Sequence, residues 1–392
     1  MTGGAAALKA HFGRALASDD RLHVAAHSHH PWPDVTRDAH LAAWDLAAAQ
    51  LDDKWDTILR TVVPEAQGHV ARRLGLRDPA TVAFAPNTHE LLVRITSALP
   101  RPFRVLTTDA EFHSAARQLA RWEEAGVAHV DRVPAESFAT FPERFVAAMR
   151  PEHGLVLVSH VFFDSGYVVP DLAQLVDAVP SPDALVVVDG YHAFMAVPTD
   201  LGAIASRAFY LAGGYKYAMA GEGACFAHAP AGYATRPVDT GWFAAFGALA
   251  DAGDGRVGYP ADAGRLAGST TDPSGLFRFN AVQRWLDGLG VDVPAIHAHV
   301  GALQTRLLAA LDAEPLAALP VTSLVPGRQV PDRGHFLTFR TDRAPEVEAA
   351  LAARGVVADR RGERLRLGFG VYHDDDDVDR LAAELAIVAR HA

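Results

Sequence analysis

A chain of 392 residues with 49% hydrophobic content can bury a large core and exceeds the usual size of one domain, so one large and one smaller domain are expected. Its net charge of −11 provides no basic stripe to neutralise a phosphate backbone, which argues against nucleic acid and against a membrane surface as partners. No apolar run reaches about 18 residues, no basic n-region precedes an apolar stretch, and one cysteine, Cys225, stands alone. The composition therefore predicts a cytoplasmic protein without an internal disulfide or a multi-cysteine metal site.

Residues 1–35, ending in the turn-forming Pro31-Trp-Pro-Asp34, read as an N-terminal arm. A helical pattern rich in Ala, Leu and Trp follows from Thr36 to Leu51. Strands are predicted at Val82–Phe84, Arg104–Thr107, Leu155–Ser159, Leu185–Asp189, Ala208–Leu211 and Ala224–His228. Helical patterns lie between several of them, at Glu90–Leu99, Ser114–Ala125 and Pro170–Val179. This alternation implies an α/β fold with a parallel or mostly parallel sheet covered on both faces. Ligands on such sheets sit at the carboxyl ends of the strands. The weakly periodic stretch Phe246–Pro273 reads as a long functional loop. Helices at Gly275–Leu289 and Ile296–Asp312, strands at His335–Arg340 and Arg364–Gly368, and a last helix opening in Asp374-Asp-Asp-Asp377 complete the chain. That acidic run is expected to be a solvated helix start, where carboxylates complement the helix dipole.

The residues that carry chemistry cluster at strand ends. Lys216, one of three lysines, lies in the glycine-bracketed apolar run Phe209-Tyr-Leu-Ala-Gly-Gly-Tyr-Lys-Tyr217. A desolvated lysine can be neutral at working pH and condense with an aldehyde; a snorkelling edge-strand lysine is the plain alternative. Asp189 ends the most hydrophobic strand, where a buried acid needs a partner, and a carboxylate there can keep a pyridine nitrogen protonated. His192, three residues on, could reach a ring hydroxyl, although a turn-capping Asp beside a satisfied histidine fits the same spacing. Read together, Lys216, Asp189 and His192 point to pyridoxal 5'-phosphate held on a Schiff-base lysine.

Further residues fit around that cofactor. Asn87, Thr88 and the amide of His89 precede a helical run and form a candidate phosphate cup, or an ordinary cap. Tyr215 and Tyr217 can offer hydroxyls to the phosphate. In Glu111-Phe-His-Ser114, His113 is the preferred stacking ring, with Phe112 expected in the core. Arg364 and Arg366 share a strand face, and Arg366 is the better candidate for a substrate carboxylate. In His27-Ser-His-His30, a polar lining of a substrate pocket by His27 and His29 is preferred over an ordered surface arm and over a metal site. A nucleotide-binding oxidoreductase is disfavoured because no Gly-x-Gly-x-x-Gly follows the first strand.

The order Asp189-x-x-His192, Tyr215-Lys-Tyr217, Gly241-Trp-Phe243, Gly355-Val-Val-Ala-Asp-Arg-Arg361, then Arg366 and Tyr372, resembles the class V aminotransferase group and, within it, the kynureninases. The resemblance runs from about residue 22 to the C-terminus. It implies a fold-type-I architecture, with a large domain over 36–280 built on a mostly parallel seven-stranded sheet and a smaller α+β domain over 281–392. It implies Lys216 as the imine lysine, Asp189 on the pyridine nitrogen, His192 near the phenolic oxygen and Thr88 and Tyr215 near the phosphate. His113 would stack and Arg366 would take the carboxylate. Trp242, Ser269 and Thr270 would approach the phosphate from a neighbouring subunit, hence a homodimer with active sites at the interface.

Two departures fall where substrate is chosen. A Gly-Asn-Ser-Leu-Gly entry motif is replaced by Ala26-His-Ser-His-His-Pro-Trp-Pro-Asp34, and the expected Asn-Pro is Asp272-Pro273. A desulfurase needs a mobile thiol ahead of the carboxylate-binding arginine, and no cysteine lies between residues 226 and 392. The expected activity is thus kynureninase-like cleavage of a C–C bond in a small amino acid. Transamination, epimerisation and thiol-independent β-elimination stay open, as does a non-catalytic protein of the same fold.

Overall fold

The computed structural model describes residues 8–16, 20–248, 255–330 and 332–391. Its centre is a sheet of seven strands: β2 (Val82–Ala85), β3 (Phe103–Thr108), β4 (Ala128–Val133), β5 (His153–Ser159), β6 (Leu185–Asp189), β7 (Ala208–Gly213) and β8 (Cys225–His228). A short β1 (Leu22–His23) precedes them. The order across the sheet is β2-β8-β7-β6-β5-β3-β4, with β8 antiparallel to both neighbours and the remaining pairs parallel. The chain steps outward from β3 to β4, then returns to the other side of β3 to make β5. That reversal leaves a crevice between the carboxyl ends of β3 and β5, where ligands bind in open α/β sheets.

The expected sheet forms because its strands are buried on both faces. Val186, Val188, Tyr210, Ala212 and Phe226 join one apolar cluster, and Leu185, Val187, Phe209, Leu211 and Ala227 join the cluster on the opposite face. β4 escaped the sequence pattern because it is an edge strand, Ala-His-Val-Asp-Arg-Val, whose middle residues are polar and half-exposed.

A third apolar cluster joins Leu22 and Val24 to Val300, Leu337, Leu351, Leu365, Leu381 and their neighbours. It packs the helices Val293–Ala313, Ala344–Ala353 and Asp375–His391 against a small antiparallel sheet of β9 (Phe336–Arg340), β11 (Asp359–Arg361) and β12 (Arg364–Gly368). β10 (Val356–Val357) pairs with β1 instead. The arm is anchored: Phe12 is fully buried against Trp285 and Tyr372. Residues 1–7 of that arm lie outside the described residues.

Two readings need correction. The acids at 374–377 are not all solvated: Lys9 Nζ meets Asp374 at 2.9 Å and Asp377 at 2.8 Å, and these two acids cap each other's backbone amides. In Phe246–Pro273, residues 249–254 lie outside the described residues, and much of the rest is fastened rather than loose. Arg265, 2% exposed, donates to the carbonyls of Pro230, Tyr233, Ala261 and Asp262. Arg265→Leu removes every one of those donors and should cost about 2–4 kcal/mol, read as an earlier urea midpoint. A midpoint within error of wild type would refute that anchoring role.

Candidate active site

A cavity of about 470 Å³ opens at the carboxyl ends of β3, β5, β6 and β7. That is within the usual range of ligand sites, roughly 300–1,000 Å³. Its walls include Asn87, Thr88, His89, Phe112, Ser114, Ser159, Phe163, Asp189, Tyr191, His192, Tyr215, Lys216, Glu222 and Cys225. The topology explains the convergence: Ser159, Asp189 and Lys216 come from the ends of β5, β6 and β7 or the turn beyond, Thr88, His89 and Ser114 from the first turns of helices that follow β2 and β3, and Cys225 from the start of antiparallel β8.

Lys216 follows β7 through Gly213 and Gly214. A Cβ at Gly213 would stand 2.5 Å from Cys225 Sγ and 2.8 Å from the Tyr191 hydroxyl, so only glycine lets the strand end there. Lys216 is 8% exposed, and its amine contacts His192 Nε2 and sits 5.2 and 5.3 Å from the Phe112 and Tyr191 ring centres. Burial, with Arg366 adding like-charge repulsion and Asp189 opposing, brings its pKa down to about 7. His192 is pushed well below the usual histidine value, chiefly by burial and then by the Lys216 charge, so it is a neutral acceptor for the amine. Its Nδ1 is buried without a partner among the described residues.

Asp189 ends β6 and faces the same cavity. One oxygen accepts the Tyr191 amide at 2.9 Å, and burial raises its pKa against that bond and the Lys216 charge. The helix Thr88–Thr96 points its N-terminus at the cavity, with Asn87 capping the Glu90 amide at 2.9 Å.

Other expected residues land elsewhere. Phe112, not His113, lines the cavity: the helix starts at His113, whose ring meets Phe163 edge-on at 5.0 Å. Arg366 is 2% exposed and is not in the cavity wall. Its guanidinium donates to Asp359 and to the Phe163 carbonyl, while its Nε is buried and unpartnered among the described residues. The three histidines of the His27-Ser-His-His30 cluster diverge and none lines the cavity. His27 stacks on Phe336 and lies 3.5 Å from Asp359, His29 meets the Tyr215 ring, and His30 bonds the Pro31 carbonyl. Trp242 Nε1 donates to Thr270 Oγ1 at 3.1 Å on the surface, with Phe243 and Phe246 beside it; neither Trp242, Ser269 nor Thr270 reaches the chain's own cavity. Asp272 caps Ser274.

Sequence reasoning missed Glu111 and Ser159. Glu111 is 4% exposed and accepts from Thr108 Oγ1 at 2.7 Å and from Ser159 Oγ at 2.6 Å. Its position in a short loop after β3 offered a signal that the neighbouring rings obscured.

The topology and cavity define an α/β architecture of the fold-type-I transferase kind. The class-V aminotransferase model matches residues 56–381, and the chain belongs to that family, which works with pyridoxal phosphate. Similar solved structures include C-DES, described as a cystine C–S lyase in complex with its product cysteine persulfide. That structure shares 15% identity and a TM-score of 0.79, covering 94% of this chain and 98% of its own. A C-DES lysine mutant with glycine covalently linked to the PLP cofactor shares 14% identity, with TM-score 0.79 and coverage of 96% and 98%. The cysteine desulfurase CsdA of Escherichia coli shares 17% identity, with TM-score 0.80 and coverage of 99% and 98%. At such identities the likeness speaks to the fold. No curated protein sequence matches.

Cys225, in β8, contacts the Tyr191 hydroxyl, and burial pushes its thiol up to about 11. In the native protein Ellman's reagent should label it at least about a hundredfold more slowly than a free cysteine, and fully after denaturation. Rapid native labelling would show an available thiolate.

Proposed function

We propose that this protein is a pyridoxal-phosphate-dependent lyase that breaks a bond at Cβ of a small amino acid, Cβ–S in the first instance, without an enzyme thiol. The observation that carries the reading is a buried lysine, its amine near neutrality, in one cavity with the strand-end carboxylate Asp189. The cystine C–S lyase and desulfurase neighbours support the bond type, and the buried state of the chain's single cysteine supports independence from a thiol.

The residues present fit the cofactor. Lys216 would anchor its aldehyde, Asp189 would pair with the pyridine nitrogen, and Thr88 with the Asn87-capped helix start would take the phosphate. Phe112 would cover the ring in place of His113. When bound, the cofactor supplies an electron sink for the pair left at Cα. Lys216 Nζ then moves the Cα proton, a role suited to an amine that is half neutral near pH 7. His192 Nε2 holds that amine in place. Phe112, Val161 and Phe163 supply an apolar part of the cavity wall, which would lower the polarity around the reacting atoms. Arg366 remains our candidate for the substrate carboxylate, with its Nε still free for a partner.

Homodimeric sites are part of the same proposal. Trp242, Ser269 and Thr270 lie away from their own cavity on an aromatic surface patch, as groups donated to a neighbour would. The division into arm (1–35), large domain (36–280) and small domain (281–392) is likewise proposed, supported by the separate apolar cluster of the C-terminal part.

A second reading, hydrolytic C–C cleavage in the kynureninase manner, is favoured by the aromatic walls Phe112, Phe163 and Tyr191, which suit an aryl side chain. Adding pyridoxal phosphate and then borohydride should leave one cofactor per chain on Lys216, with trapping that rises with pH to a midpoint near 7. Lys216→Ala should abolish it; a trapped adduct elsewhere would sink the site assignment. Pyruvate and sulfur release from cystine, against anthranilate release from kynurenine, separates the two bond types.

A further inference from the structure

The crevice between β3 and β5 holds a buried acid that the mechanism above does not use. Glu111 follows β3, and its carboxylate is gripped at three points: Thr108 Oγ1 at 2.7 Å and the Ser159 amide at 3.2 Å on Oε1, and Ser159 Oγ at 2.6 Å on Oε2. The three residues are each under 5% exposed. Ser159 ends β5, lines the cavity, and is the register partner of Asp189 at the end of β6. Glu111 therefore reaches the cavity through one hydroxyl.

A hydroxyl has one proton to give. With Glu111 ionised, Ser159 spends that proton on Oε2 and turns only its lone pairs elsewhere. When a solvent proton adds to Oε2, the carboxyl becomes the donor and Ser159 Oγ accepts, so the serine O–H, keeping its proton, is free to turn and donate to an acceptor in the cavity. Thr108 and the Ser159 amide can continue to donate to Oε1 in both states, so the exchange needs no rearrangement of the loop.

We propose that Glu111 is a positioning residue that sets, by gaining or losing one proton, which way the Ser159 hydroxyl donates beside Asp189, and so tunes the environment of the cofactor ring. This rests on the cofactor reading proposed above. Burial and then the Asp189 charge raise the Glu111 carboxyl, against the Ser159 and Thr108 donors, to about 7, so the exchange falls in the working range. The charged groups around it are few. Asp189 acts from β6, and Lys216 faces Asp189 from β7's loop. His160, next to Ser159, is held neutral by burial with a pKa of about 4. Asp109, on the same loop, is occupied by the Ala135 amide.

Glu111→Gln mimics the protonated form, since its amide oxygen can replace Oε1 and its NH2 can donate to Ser159. Absorbance of the cofactor-loaded protein, titrated from pH 5.5 to 8.5, should contain in wild type, beside the change that Lys216 contributes in every variant, a component stepping near pH 7 that is absent in Glu111→Gln and in Ser159→Ala. A second measurement uses the protein without cofactor. A raised carboxyl binds its proton more tightly when folded, so the Glu111 contribution to stability should fall as pH rises from about 4.5 to about 7, read as a stability difference between wild type and Glu111→Gln that changes across that window. If the chromophore forms but either variant titrates with the wild-type curve, the inference is overturned while the cofactor reading stands. If wild type forms no chromophore, both go. If Glu111→Gln keeps the wild-type pH dependence of stability, Glu111 does not titrate in this window and the inference again fails.

Discussion

The site depends on one amine being taken out of water. A lysine at the surface would be charged across the physiological range, unable to attack an aldehyde. Burial of Lys216 beneath Phe112 and Tyr191 removes that hydration, and the nearby Arg366 charge reinforces the effect. Asp189 opposes it. The balance leaves an amine able both to take and to give a proton, and much of the local architecture serves to hold that balance.

The glycines at the end of β7 let the chain turn against Cys225 and Tyr191, bringing the lysine inward without displacing its neighbours. Neutral His192 accepts from the amine without adding a second charge. On the other flank, Asp189 at the end of β6 is held by one backbone amide and Glu111, just after β3, by three donors, with the end of β5 and its Ser159 between the two acids. Two buried negative charges so close would repel, which is why a protonated Glu111 is compatible with an ionised Asp189.

Arg366 shows the opposite economy. Its guanidinium is already committed to Asp359 and to a backbone carbonyl, so it stands as an oriented but partly occupied cation. His27 packs beside the same pair rather than facing the cavity. The arm that carries it is therefore a wall of the arginine's surroundings, tied down through Phe12 and Lys9 to the C-terminal part.

The sequence by itself determined six of the sheet's seven strands and the polar residues that end them. Short apolar runs such as Leu185–Val188 and Phe209–Ala212, rich in Val or aromatic residues and closed by glycine or an acid, suit buried strands, and the acid or amine just beyond stands out against that background. The edge strand β4 and the hold on Arg265 were not legible, because a half-exposed strand lacks periodicity and backbone carbonyl acceptors leave no mark in side-chain sequence. Only the tertiary structure decided that Phe112 rather than its neighbour His113 enters the cavity, since that turns on where a helix begins. It alone joined Glu111 to Ser159, 48 positions apart, because the order of strands across the sheet, which local patterns do not encode, is what sets β3 beside β5.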